Sequence, residues 1–257
     1  MEDAFYHYRL GTEVYHSNQI AVRNEVETLT LCHDYTGAAE LCTLFLKDAY
    51  RKGNNGRMLS RSRFLFLAQH QHRFGETVIA EMRGVSDAKG DSPFYEWLQK
   101  HFLGIDFVEA DYLSGLGKKA FMAEMMPRSP VYVCMLPKKA QNVIGEVHTN
   151  TKPALRLLQA EGFKFRNYVD IFDGGPTVEC GLTDIKSVKR SRLLTVEIGK
   201  MPHTDTQFII SNTKLADYRA TAAKLSVSDE HDNVVLSPEL AQGLMVENGQ
   251  QVRVLSL

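Results

Sequence analysis

The stretch from Glu40 to Ala68, ELCTLFLKDAYRKGNNGRMLSRSRFLFLA, constrains the fold more than any other part of the chain. Leu41, Cys42, Leu44, Phe45 and Leu46 are apolar on both alternating faces, the pattern of a strand buried in the middle of a sheet. Asp48 to Gly56 breaks that pattern. Met58, Leu59, Phe64, Leu65, Leu67 and Ala68 then recur at spacings that predict a well-buried helix. Such a strand–turn–helix aims backbone N–H groups and the positive end of a helix at one point, which suits a phosphate or pyrophosphate. Arg51, Lys52 and Arg57 add cationic charge beside it. A generic strand-to-helix turn has the same composition, so the segment marks a candidate anion cradle without naming its ligand. No Gly-Lys-Ser/Thr follows, which excludes a Walker-type nucleotide loop.

The rest of the chain surrounds this unit with mixed elements. Extended structure is predicted over Phe5 to Val14 and Glu27 to Cys32, with a turn at Asp34 to Gly37. Thr77 to Val85 reads as a strand. Ser92-Pro93 is an N-cap followed by proline, opening a helix to Leu103 that Gly104 stops. Helices are also predicted over Phe107 to Leu113, Lys119 to Met126, Lys138 to Val147 and Thr151 to Glu161, with a strand over Val131 to Leu136. Gly162 fits the left-handed position after the last helix, with Phe163 folding back onto Leu158. Tyr168 to Phe172 and Thr177 to Cys180 bracket a hairpin loop at Asp173-Gly174-Gly175-Pro176. After the basic cluster Lys186, Lys189, Arg190 and Arg192 the style changes to short strands and polar turns. The organisation expected is therefore a larger domain over 1–190 and a small β-rich one over 191–257.

With 257 residues and a formal net charge of -1, the chain gives no general reason to bind nucleic acid or an anionic membrane surface. No apolar run reaches membrane-spanning length, and the N-terminus lacks the basic and apolar regions of a secretory signal. Cys32, Cys42, Cys134 and Cys180 are far apart with no C-x-x-C pair, which reads as four buried, reduced thiols in a cytoplasmic protein.

His148, in VIGEVHTNTKP, falls between two predicted helices. A histidine there can transfer a proton near neutral pH, or simply cap a helix. Glu124, Asp170, Asp173 and Glu179 can bind a cationic substrate or be solvated turn and strand-edge carboxylates. Glu81 and Arg83 flank Met82 on one side of a strand, where they line a cleft or pair with each other. The remaining histidines show no metal-ligand spacing, and His70-x-His72 reads as a solvated helix end.

The turn Arg51-Lys52-Gly53-Asn54-Asn55-Gly56 resembles the R-x-x-G-x-G/A signature of the acyl-CoA N-acyltransferase superfamily (the GNAT fold). In that superfamily the loop and helix N-terminus hold the pyrophosphate of coenzyme A. Asn54 stands where the first glycine is usual, and Gly56 keeps the second; Asn tolerates positive φ better than most residues. Five longer stretches are together similar to the bacterial arginine N-succinyltransferase family. They are AELCTLFLKDAYRKGNNGRMLSRSRFLF (39–66), VIAEMRGVSDAKGDSPFYEWL (78–98), FVEADYLSGLGKKAFMAEMMP (107–127), VIGEVHTNTKPALRLLQAEGF (143–163) and YVDIFDGGPTVEC (168–180).

That resemblance implies an α+β fold. Its core is an acyl-CoA N-acyltransferase-like mixed, mostly antiparallel sheet with flanking helices, and a small barrel-like β-rich domain follows. It implies transfer of a succinyl group from succinyl-CoA to the α-amino group of L-arginine, with ornithine as a related acceptor, in arginine catabolism. Succinyl-CoA is then a co-substrate, and no cofactor is permanently bound. Leu44 falls on the family's succinyl-CoA-contacting leucine and His148 on its proton-donating histidine. Arg51, Lys52, Asn54 and Gly56 hold the coenzyme. Partners implied are L-arginine and succinyl-CoA, with the chain a homo-oligomer or one of two paired subunits. The family also has an N-terminal segment supplying earlier strands and helices, so the sheet is expected to be N-terminally incomplete with an edge covered by something else. A non-catalytic or partner-dependent subunit that keeps the fold and binds CoA is the alternative function.

Overall fold

The computed structural model describes residues 4–88, 90–116, 124–228 and 230–257. In chain order the strands are β1 His7–Ser17, β2 Val22–Cys32, β3 Ala39–Glu40, β4 Thr77–Glu81, β5 Val131–Tyr132, β6 Lys164–Val169, β7 Pro176–Gly181, β8 Arg192–Ile198, β9 Gln207–Asn212, β10 Ala220–Lys224, β11 Asn233–Leu236 and β12 Gln251–Ser256. The α-helices are α1 Asn55–Gln69, α2 Pro93–Leu98, α3 Phe107–Gly115, α4 Lys138–Gln141, α5 Lys152–Glu161, α6 Lys186–Arg190 and α7 Pro238–Leu244. The helix expected over Lys119 to Met126 lies mostly outside the described residues. Two compact units result. One is Met1–Cys42, Thr77–Gln159 and Phe163–Cys180; the other is Thr43–Glu76, Ala160–Gly162 and Gly181–Leu257.

The first unit is built on a seven-stranded sheet of order β3-β4-β7-β6-β1-β2-β5. Only β3 and β4 run parallel among the pairs whose register is given; β1–β2, β1–β6, β2–β5 and β6–β7 are antiparallel. Tyr8, Leu29 and Val169 on the sheet bury against Phe94 and Leu98 of α2 and Ala110 of α3. Each large side chain fully buried there is worth about 1.5–3 kcal/mol over leaving it in water. Ser92 caps α2 by accepting the Tyr95 N–H, with Pro93 in the first turn. The helix continues as one π-turn over Gln99–Leu103 and stops at Gly104, φ +68°. After α5 the Phe163 N–H reaches back to Leu158 O at 3.2 Å across Gly162, the expected left-handed cap.

The second unit carries a five-stranded sheet of order β10-β9-β12-β8-β11, antiparallel except for β8–β11. Leu194, Val196, Ile210, Val234, Val252 and Val254 form its core with Ala241 and Leu244 of α7. Helix α1 belongs to this unit: Leu65 packs with Ile209 and Leu255, and the Tyr218 hydroxyl donates to Ser62 O at 2.6 Å.

Several expectations change. Leu41 to Leu46 is not a buried strand. Pairing with β4 ends where the Leu41 N–H donates to Ile79 O at 2.8 Å. Thr43 then takes φ +47°, and Leu44 and Phe45 are 41% and 70% exposed. The apolar alternation fits a strand, but a strand also needs a neighbour to hydrogen-bond, and a left-handed residue turns the chain away from the one it has. The strand over Val131 to Leu136 is two residues followed by a 3-10 turn over Val133–Met135. The helix over Lys138 to Val147 ends at Gln141, because Gly145 at φ +75° turns the chain and Val147 bridges to Gly84 instead. None of the four cysteines forms a disulfide among the described residues, but Cys42 and Cys134 are exposed and Cys32 half-buried, so only Cys180 is the buried thiol expected.

Candidate active site

In the second unit, the cradle forms at the entry to α1. The chain passes through a 3-10 turn at Asp48–Tyr50, bends at Lys52 to Asn54 and enters the helix at Asn55. Gly53, not Asn54, takes the left-handed conformation, φ +54°; Asn54 is the N-cap residue with φ -92° and makes no side-chain cap bond. The first intrahelical bond is Met58 N–H to Asn54 O, 2.8 Å. The N–H groups of Gly56 and Arg57 precede it and so have no partner within the helix. A Cβ on Gly56 would meet nothing closer than Leu46 Cδ2 at 3.9 Å, so packing does not require glycine there.

Arg51 closes the turn on itself. Its Nε donates to Leu46 O at 3.0 Å and its Nη1 pairs with Asp48 Oδ1 at 2.8 Å. Lys52 and Arg57 are exposed, and among the described residues neither has an ion-pair partner. Leu44 leads into this loop, and no backbone carbonyl among the described residues takes an N–H from Thr43 to Lys47. The structure thus brings Leu44, Arg51, Lys52, Asn54 and Gly56 into one segment of the second unit.

His148 belongs to the first unit, half-buried beyond the end of β4. Its N–H donates to Arg83 O at 2.9 Å, next to the Gly84–Val147 bridge. It is also the N-cap of the 3-10 turn Thr149–Thr151, Nδ1 accepting the Asn150 N–H at 3.2 Å. A ring that accepts at Nδ1 carries its proton on Nε2, so the cap selects one neutral tautomer and makes Nε2–H the donor. The cap reading is thus realised through Nδ1, which leaves Nε2–H as the ring's donor.

Sequence profiles decide the relationship. The family described as arginine N-succinyltransferase beta subunit matches residues 1–187, and that of its C-terminal domain matches residues 192–256. The chain belongs to the arginine N-succinyltransferase beta subunit family. The arginine N-succinyltransferase subunit beta of Pseudomonas aeruginosa is 44% identical over 257 residues, all of this chain and 75% of that protein. An Escherichia coli arginine N-succinyltransferase is 43% identical over 258 residues, 74% of its length. The solved structure of arginine/ornithine succinyltransferase subunit AI from Pseudomonas aeruginosa superposes with a TM-score of 0.86. It is 34% identical, over 99% of this chain and 73% of that one. The fold is thus that of an acyl-CoA N-acyltransferase-like enzyme, and acyltransferases of this kind take an acyl-CoA as co-substrate.

Within this arginine N-succinyltransferase fold, most acidic candidates have structural partners. Asp170 Oδ1 accepts the Phe172 and Asp173 N–H groups, each at 2.8 Å, and burial with the nearby charges of Glu81 and Asp173 pushes its carboxyl well above the usual range. Asp173 accepts the Gly84 N–H at 2.7 Å and the Gly175 N–H at 2.8 Å. Glu179 accepts the Tyr35 hydroxyl, while Glu124 is exposed. Arg83 donates to Ser86 Oγ at 2.8 Å, and Glu81 lies 3.4 Å from Nε2 of the fully buried His7. His70 is buried against Phe66 instead of solvated, and among the described residues no three acidic, His or Cys side chains are arranged to hold a metal ion.

No sequence pattern points to the His7–Glu81 contact, to the Asp173–Gly84 contact, or to the ion pair that Arg61 of α1 makes with Glu161. Each joins residues 74 or more positions apart, and one chain read without an alignment carries no long-range signal. The Gly-Gly after Asp173 is the only local hint, since paired glycines mark a place where backbones come close.

Proposed function

We propose that the chain transfers a succinyl group from succinyl-CoA to the α-amino group of L-arginine. The observation that carries this reading is 44% identity across the whole chain to an arginine N-succinyltransferase subunit. The solved relative is an arginine/ornithine succinyltransferase subunit, and ornithine is the second acceptor to test. The α-ammonium of the acceptor, with a pKa of about 8, loses a proton before its nitrogen attacks the thioester carbon. A tetrahedral oxyanion forms, the C–S bond breaks, the nitrogen loses a second proton, and the thiolate takes one. The products are the N-succinyl amino acid, free CoA thiol and one proton.

In this reading Lys52, Arg57 and the α1 N–H groups bind the CoA pyrophosphate, with Asn54, Gly56 and Arg51 shaping the loop. The unpaired backbone N–H groups around Leu44 stabilise the oxyanion. His148 serves the departing sulfur through Nε2–H, its Nδ1 being held by Asn150. By family boundary, residues 1–190 make up the acyltransferase portion and 191–257 a β-rich portion, onto which α1 of the first portion packs. Four cysteines with no disulfide among the described residues fit a reducing, cytoplasmic setting. No helix among the described residues is long and apolar enough to cross a membrane. Two relatives are named as subunits, which favours an assembly of paired or identical chains. The same naming favours the second reading, a partner-dependent subunit that binds CoA without turning over alone.

The test is His148→Ala in a CoA-release assay. A general acid contributes about 10²–10⁴-fold, and a loss of that order in kcat is expected. Wild-type turnover in the folded variant removes His148 from the mechanism.

A further inference from the structure

The chain on both sides of His148 is tied to one turn. Between β6 and β7, Asp173 Oδ2 accepts the Gly84 N–H at 2.7 Å while Oδ1 accepts the Gly175 N–H at 2.8 Å. One carboxylate therefore joins the end of β4 to the hairpin. Gly174 O accepts the Gly145 N–H at 2.8 Å, three residues before His148. Gly84 bridges Val147, and Arg83 O takes the His148 N–H. Two short paths, through Gly84 and through Gly145, thus run from the turn to the histidine backbone.

The contact has no slack. A Cβ on Gly84 would lie 2.6 Å from Asp173 O, and one on Gly175 would lie 2.2 Å from Met82 O. Only glycine permits backbones this close. Asp170 fixes the turn's own shape by accepting the Phe172 and Asp173 N–H groups.

We infer that Asp173 is a positioning residue for His148, its carboxylate setting the depth at which the imidazole stands through Gly84, Arg83 and Val147. The inference rests on His148 as proton donor, but its structural half is measurable without catalysis. A displacement of about 1 Å in a reacting group can cost 10²-fold in rate with little effect on binding.

Asp173→Asn keeps one carbonyl oxygen and places an NH2 against an N–H. It should lower kcat by about 10-fold to 10²-fold, with KM for succinyl-CoA and for arginine within about twofold of wild type. The 15N imidazole resonances of His148, assigned by their loss in His148→Gln, should shift from their wild-type positions as the ring's surroundings change. Gly145→Ala tests the other path and covers the case in which Asp173→Asn does not fold. Its Cβ would sit 3.7 Å from Phe165 Cζ, but φ is +75°, so it strains the loop without touching Asp173. The same direction of change, smaller in size, is expected. Wild-type kcat in a folded Asp173→Asn, or lowered kcat with unmoved His148 resonances, overturns the inference. Unmoved resonances in Gly145→Ala, where it is the only folded variant, do the same. Moved resonances alongside full turnover in His148→Ala leave the positioning intact and refute the histidine's catalytic role instead.

Discussion

Replacing Arg61 by alanine probes what holds α1, and with it the cradle at its N-terminus. Arg61 Nε donates to Glu161 Oε1 at 2.9 Å, and the side chains are 19% and 4% exposed. Glu161 Oε2 also accepts the Ser187 N–H at 2.8 Å, and Arg61 Nη1 reaches Ser256 O at 3.3 Å. Removing one member of a buried pair typically costs about 3–5 kcal/mol, because the remaining charge stays out of water. Glu161 keeps one charge-assisted bond, to Ser187, so the low end applies, about 3 kcal/mol. For a chain of this size that corresponds to a fall in Tm of roughly 6–12 °C, or to a drop of about 1 M in the urea midpoint. Arg61→Met combined with Glu161→Gln removes both charges at similar volume and should recover most of the loss. Equilibrium urea unfolding of the three proteins decides the matter. Arg61→Ala within about 0.5 kcal/mol of wild type, or a double variant no better than the single one, refutes the reasoning.

Asp170 makes a prediction with a sign. Its carboxyl holds a proton more tightly in the folded state than in the unfolded chain, through burial and the nearby charges of Glu81 and Asp173. Its contribution is therefore fully present below the unfolded pKa and lost as pH rises through the raised folded value. Asp170→Asn keeps the Oδ1 acceptor and does not titrate, so its stability relative to wild type should climb as pH rises above about 4, the ordinary carboxylate range; urea midpoints that diverge the other way contradict this. Lys52→Gln with Arg57→Gln should raise KM for succinyl-CoA, leave kcat nearly unchanged and flatten the dependence of KM on salt, because these exposed cations act on phosphate through screened charge. An unchanged KM at low salt removes them from the site.

What was legible in the sequence was local. The Ser92-Pro93 cap, the Gly104 stop, the Gly162–Phe163 cap and the Asp173-Gly174-Gly175 turn depend on a few adjacent residues and were read from them. The helix of the cradle was legible for the same reason, although its left-handed residue is Gly53 and not Asn54. Leu41 to Leu46 misled because alternation records what side chains prefer, while strand formation depends on a hydrogen-bonding neighbour. His148 was legible as a junction residue and not as one held by Arg83 O and Asn150 N–H. Those partners, like Asp173 for Gly84, are set by which distant strands end side by side.

Acyl transfer from a CoA thioester to arginine is tested most simply by release of free CoA thiol from succinyl-CoA by the purified chain with and without L-arginine. Thiol release should depend on arginine and match, mole for mole, the N-succinylarginine seen by mass spectrometry. Succinyl-CoA binding with no arginine-dependent thiol would contradict this, and would make this chain the CoA-binding member of an assembly whose chemistry needs another subunit.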